Sequence, residues 1–247
     1  MRATGGPWGN YQKLCIALSC FTTIGPSVAL IWGIAFLVQT PALLCQTDGS
    51  GEWETCSREI ACQSPETFKI DYDDPLTVRN FITDLDLVCV ESYDLVISNL
   101  EGTLLLGILI GFIFVLPLAD IYGRKKTLAV VSHIALASFV LAFYAWKVSQ
   151  DLFLLRASLF LIGVSKFTQV MTAYIGLTEL LTSDQMALTT GFAEGVIALQ
   201  VVIFCLYIRY YKDTVTYMAV SIVSLAVWSA FMHYWFLETP AYLLKSG

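Results

Sequence analysis

The chain has 247 residues, of which 57% are hydrophobic and only 14% charged, against roughly 25% charged in an average globular domain. With a formal net charge of −6 and a mean hydropathy of +0.69, the composition excludes a disordered chain, a basic nucleic-acid binder and an ordinary soluble enzyme. It places the chain in the membrane class.

A helix needs about 20 apolar residues to cross the hydrocarbon core. Windows of that length predict six spans: Leu14–Val38, Leu95–Ala119, Leu128–Trp146, Leu152–Leu177, Met186–Ile208 and Val215–Leu237. The expected fold class is an all-α membrane protein, a bundle of six transmembrane helices. The first span is too long for a signal-peptide core and no small-residue cleavage site follows it, so it reads as a retained helix. The expected organisation is an N-terminus and helix 1 (1–39), an outer loop (40–94), helices 2 to 6 (95–239) and a tail (240–247). Short connections make the last five helices antiparallel neighbours.

The loop between the first two spans is the acidic part of the chain. Thr40 to Asp94 holds twelve acidic and three basic residues, a net charge of −9, so the rest of the chain is +3. The bilayer body is therefore neutral to basic. Arg2, Lys13, Arg124, Lys125, Lys126 and Lys245 flank the spans on one side, and Lys147, Arg209 and Lys212 on the other. By the positive-inside rule the first side is cytoplasmic, or matrix in a mitochondrion, and carries both termini. The acidic loop lies opposite.

Cys45, Cys56, Cys62 and Cys89 lie in that loop or at its edges. Four cysteines on the non-cytoplasmic side point to two disulfides, with three connectivities open. No C-x₂-C pair suggests zinc, and the loop, long enough for a small cap, has no N-glycosylation sequon. Cys15, Cys20 and Cys205 fall in spans and read as small core residues.

Between the second and third spans the chain reads Leu116-Pro-Leu-Ala-Asp-Ile-Tyr-Gly-Arg-Lys-Lys-Thr-Leu128. A basic stop signal accounts for Arg124, Lys125 and Lys126. It does not account for Asp120, a carboxylate at a helix C-terminus, where the macrodipole disfavours it unless another helix offers its N-terminus. Further stretches are Gly9-Asn-Tyr-Gln-Lys13, Asp84-Leu-Asp-Leu-Val-Cys89, Ala173-Tyr-Ile-Gly-Leu-Thr-Glu-Leu180 and Glu238-Thr-Pro-Ala-Tyr-Leu-Leu244.

The 116–128 stretch resembles the signature loop of the major facilitator superfamily, with Asp120, Gly123, Arg124, Lys125 and Lys126 in place. Together with the cysteine-bearing outer loop, the other stretches look like the organic cation/anion transporter branch and its synaptic-vesicle-protein relatives. The resemblance covers the N-terminal half of such a transporter. It implies half of a major facilitator fold, a second six-helix bundle as partner, substrate bound at the midplane between bundles, and rocking of the two halves. It also implies an acidic network on the cytoplasmic side through Glu179 and Glu238, and the plasma membrane as location, with the mitochondrial inner membrane as alternative.

The chain departs from the family at working positions. Leu116 replaces the signature's first glycine, and Leu159 stands at the fourth-span arginine, with Arg156 one turn earlier. No base follows Glu179 in its loop, and Ala241 and Tyr242 replace the family's arginine and tryptophan after Glu238.

Charged groups inside spans are costly, so each is a functional candidate. Glu101, Arg156, Lys166, Glu194 and His133 qualify, and a Lys166–Glu194 pair between spans four and five would neutralise both. Tyr207, Tyr210, Tyr211, Trp228, Tyr234 and Trp235 read as interfacial anchors. No metal, P-loop, nucleophile or dinucleotide motif is present, so neither catalysis nor a cofactor is expected. Two functions are open: a bundle of a carrier for small organic ions, or a half-transporter kept as an accessory subunit of a larger membrane complex.

Overall fold

The computed structural model describes residues 9, 13–14, 16–17, 31–46, 52–63, 68–179, 181 and 183–234. Most of the expected first span, with Cys15 and Cys20, and Glu238 lie outside them. The described end of that span is a short helix, α1 (Ile34–Leu37). The outer loop then folds into a cap of three short strands, β1 (Leu43–Gln46), β2 (Trp53–Cys56) and β3 (Phe68–Ile70), with helix α2 (Arg58–Gln63) between the last two. The strands form one antiparallel sheet in the order β2-β1-β3, with Leu43 opposite both Cys56 and Ile70.

Two disulfides fix the cap, Cys45–Cys56 across β1 and β2, and Cys62–Cys89 from α2 to the turn that enters the second span. They close loops of 11 and 27 residues. Helix α3 (Phe81–Asp84) follows, started by Asn80, whose side chain accepts from the Ile82 and Thr83 amides while the Thr83 hydroxyl accepts from Asn80 N–H. This reciprocal cap satisfies otherwise orphaned donors. The same Asn80, fully buried, donates through Nδ2 to the Phe36 and Gln39 carbonyls at 2.9 and 2.8 Å, tying α3 to the end of the first span.

Among the described residues, five helices are long and apolar enough to cross a membrane: Tyr93–Tyr122, Arg124–Ser149, Leu152–Glu179, Gln185–Tyr211 and Val215–Tyr234. The first comprises α4 (Tyr93–Ile110), a π-helical turn at Gly111–Val115 and α5 (Leu118–Tyr122). The second is α6 (Arg124–Tyr144) with a π-helical end at Ala145–Ser149. The others are α7 (Leu152–Glu179), α8 (Ser183–Tyr211) and α9 (Val215–Tyr234). At 1.5 Å per residue the 26 residues of the second reach about 39 Å, enough for a hydrocarbon core of about 30 Å. The turns into α7 and α9 share a device. Gln150 and Lys212 take φ of 51° and 50°. The next residue, Asp151 or Asp213, then caps the new helix by accepting from its first amides.

Lipid is as apolar as leucine, so helices associate in it by close packing and polar contacts rather than by hydrophobic gain. Helices α4 and α7 meet backbone to backbone. A Cβ on Gly107 would stand 2.2 Å from the Phe160 oxygen, and only glycine fits. Helix α6 packs on α7 and on α9. One core runs from the cap to mid-bundle through Leu37, Phe81, Leu100, Leu104, Phe139, Trp146 and Leu159. A second gathers Leu128, Val170, Ala173, Trp228 and Met232 toward the other end. Buried hydroxyls return to their own helices, as Ser165 to the Leu161 carbonyl and Thr168 to that of Val164. Leu105, Leu109, Phe112, Ile113 and Phe114 remain exposed on α4 and the turn after it, as a lipid-facing surface would.

Candidate functional site

The basic turn is built around Gly123, whose φ of 99° ends α5 and starts α6. Arg124 is then the first residue of α6. Its guanidinium holds Asp120 Oδ1 at 2.6 Å and Glu179 Oε1, at the end of α7, at 2.9 Å. Arg124 is 12% exposed, Glu179 22% and Asp120 62%. A cation at a helix N-terminus opposes the dipole, and the two carboxylates offset it. Glu179 Oε2 is buried and has no partner among the described residues. Lys126 is exposed and Lys125 half-buried.

Of the intramembrane candidates only Lys166 lies in the core, fully buried on α7. It donates to Gln169 Oε1 at 2.9 Å, and Gln169 Nε2 donates to Ser132 Oγ on α6 at 2.9 Å. The expected Lys166–Glu194 ion pair is not formed. Glu194 is exposed on α8 beside Gly191 and Gly195, where an added Cβ would meet open space. Glu101 is half-buried. Arg156 is half-buried too, and its Nε is buried without a partner among the described residues. His133 is exposed, its Nδ1 2.6 Å from the Ala129 carbonyl and its ring 6.4 Å from that of His233.

The aromatic residues divide. Tyr210, Tyr211 and Tyr234 are more than 70% exposed, while Trp228 is fully buried against Phe231 and is a core residue rather than an anchor.

At the opposite end of the bundle stands a cluster that the sequence did not announce. Asp84, 11% exposed, accepts from Arg79 Nε at 2.9 Å and from Lys147 Nζ. Its hydrogen bond and charge raise the Arg79 pKa above the ordinary guanidinium value. Arg79 N–H donates to the Lys212 carbonyl, and the Thr214 hydroxyl donates to the Arg79 carbonyl, joining cap to bundle. Lys212 Nζ donates to the carbonyls of Tyr72, Asp73 and Asp74 at 2.6, 3.3 and 2.8 Å. Arg79 and Asp84 are five residues apart, but 147 and 212 lie too far along the chain for spacing to have joined them to that pair.

Among the described residues no three His, Cys, Asp or Glu side chains gather where they would hold a metal ion. Compared with known proteins, the chain matches no family model and no curated protein.

Proposed function

We propose that this chain is one six-helix bundle of a major-facilitator-type carrier for small organic ions, working against a second bundle in the membrane, with both termini on the cytoplasmic side of the plasma membrane or the matrix side of the mitochondrial inner membrane. The observation that carries the reading is Arg124 held between Asp120 and Glu179. It links the turn after one span to the end of another, at the membrane face where rocking halves separate or close. The buried, unmatched Glu179 Oε2 is an acceptor that a donor from an opposing helix end would satisfy.

The test is uptake of tetraethylammonium and of benzoate into proteoliposomes holding the purified native complex. Arg124→Ala, inserted normally, lowers uptake of the transported probe at least about tenfold. No uptake of either probe, or an unchanged rate in the variant, overturns the reading. Lys166→Ala and Glu194→Ala test the intramembrane residues in the same assay.

A second reading, a non-transporting accessory subunit of a larger membrane complex, has one observation in its favour. Lys166 is closed into the core with a side-chain partner, as a structural group is. Exposed Glu194 inside a span asks for a covering partner in either case.

A further inference from the structure

Three outer-side bases from distant parts of the chain meet at one place. A groove of about 760 Å³ opens where the cap joins the turn between α8 and α9, lined by Tyr72, Arg79, Lys147, Tyr211, Lys212 and Asp213. Three cations and one carboxylate line it, although the 40–94 segment that covers this side carries a net charge of −9. A positive recess in a negative surface is an electrostatic focus for anions.

The donors in the groove can be accounted for one by one. Lys212 Nζ gives its hydrogens to three backbone carbonyls. It contributes charge and no free donor. Lys147 binds Asp84 and lies 4.3 Å from the Trp146 ring centre. Asp213 is turned to its own helix, accepting from the Val215 amide at 3.0 Å and the Thr216 hydroxyl at 2.9 Å. Arg79 uses only Nε, toward Asp84, and its side chain is 60% exposed. Its backbone is pinned on both sides by Lys212 and Thr214. The Nη pair of Arg79 is therefore a fork aimed by the Nε–Asp84 bond and engaged by no hydrogen bond among the described residues, and a guanidinium fork matches two oxygens of one anion.

We propose that this groove binds a small oxyanion, a carboxylate or a sulfate, in bidentate fashion on the Nη groups of Arg79. The Lys147 and Lys212 charges stand behind it and the Tyr72 and Tyr211 rings beside it. The site belongs to the cap junction and does not depend on transport.

The test is calorimetric titration of the full chain in detergent micelles with sodium acetate and, separately, sodium sulfate, each at constant ionic strength set with chloride. One or both bind saturably, and the arm that does names the anion. Arg79→Gln weakens that binding at least about tenfold. Arg58→Gln, an outer-side arginine stacked on the Tyr93 ring outside the groove, leaves it unchanged. Phenylglyoxal labelling of the unmutated protein tests the same point without a variant: the bound anion protects Arg79 and not Arg58. Absence of saturable heat with both anions, equal binding by Arg79→Gln, an equal loss in Arg58→Gln, or no protection of Arg79 each overturns the proposal.

Discussion

Gly163 of α7 and Gly107 of α4 meet backbone to backbone. A Cβ on Gly163 would stand 3.0 Å from the Gly107 carbonyl carbon and 2.3 Å from the Leu104 oxygen. Neither neighbour is a side chain that can swing away. Gly163→Val therefore forces the two helices apart, and overpacking of this kind costs about 3 kcal/mol. Thermal unfolding in detergent micelles reads the loss. Gly102→Val on the same helix as Gly107, where an added Cβ meets nothing within 4 Å, leaves the midpoint within a degree or two.

Asp84 is the shared acceptor of Arg79 and Lys147. Asp84→Asn strands Lys147, 22% exposed, beside a neutral amide. It costs about 2 kcal/mol, below the cost for fully buried pairs because Arg79 is largely in solvent. Limited proteolysis of the cap and thermal unfolding measure it.

The Arg79 contribution itself does not vary with pH between 6 and 9. A raised folded pKa gives stability that is complete below the unfolded value and is lost as pH rises from there through the folded one. For Arg79 the folded value is raised further above an ordinary guanidinium value that already lies far above this window. The stability difference between the unmutated chain and Arg79→Gln, measured across that pH range, stays constant.

The two disulfides differ in what they hold. By loop-closure entropy, removing Cys45–Cys56 costs about 2.8 kcal/mol and removing Cys62–Cys89 about 3.5 kcal/mol, from separations of 11 and 27 residues. Only the second bridges the cap to the entry of α4. Cys62→Ser with Cys89→Ser therefore loosens that junction while the Cys45–Cys56 bridge still staples β1 to β2. Hydrogen exchange shows the amides of Leu87 to Val90 opening in this variant and staying protected when Cys45 and Cys56 are replaced.

Lys166 and Gln169 interact inside the bundle, and an intramolecular hydrogen bond is worth about 0.5–1.5 kcal/mol net. A double-mutant cycle with Lys166→Met and Gln169→Leu gives a coupling energy of about 1 kcal/mol in micelle unfolding. A coupling near zero removes the bond from the account of this core.

Five of the six expected spans were legible because a bilayer imposes one rule, an apolar stretch of sufficient length, on every crossing, and the first lies mostly outside the described residues. The helices from Leu152, Gln185 and Val215 begin within a residue of where the windows put them. What periodicity hid was facing. Lys166 and Glu194 both read as deep residues, yet α7 is wrapped by α4 and α6 while α8 turns Glu194 outward. The cap was legible as polar, acidic and cysteine-bearing, but its strands of three or four residues are too short for a period-two signal, and burial alternates only in β3. The disulfide pairing needed the sheet register. Trp228 looked like an anchor because composition cannot tell a headgroup-level indole from one packed under Phe231.

Lys212 grips the Tyr72–Asp74 carbonyls while Arg79 and Thr214 zip the same corner. The cap is thus bolted to the α8–α9 hairpin as well as to the end of the first span and to Lys147. A tilt of that hairpin must either carry the whole cap with it or part this corner, and a dye attached at Trp53→Cys, a residue 42% exposed on β2, would tell the two apart.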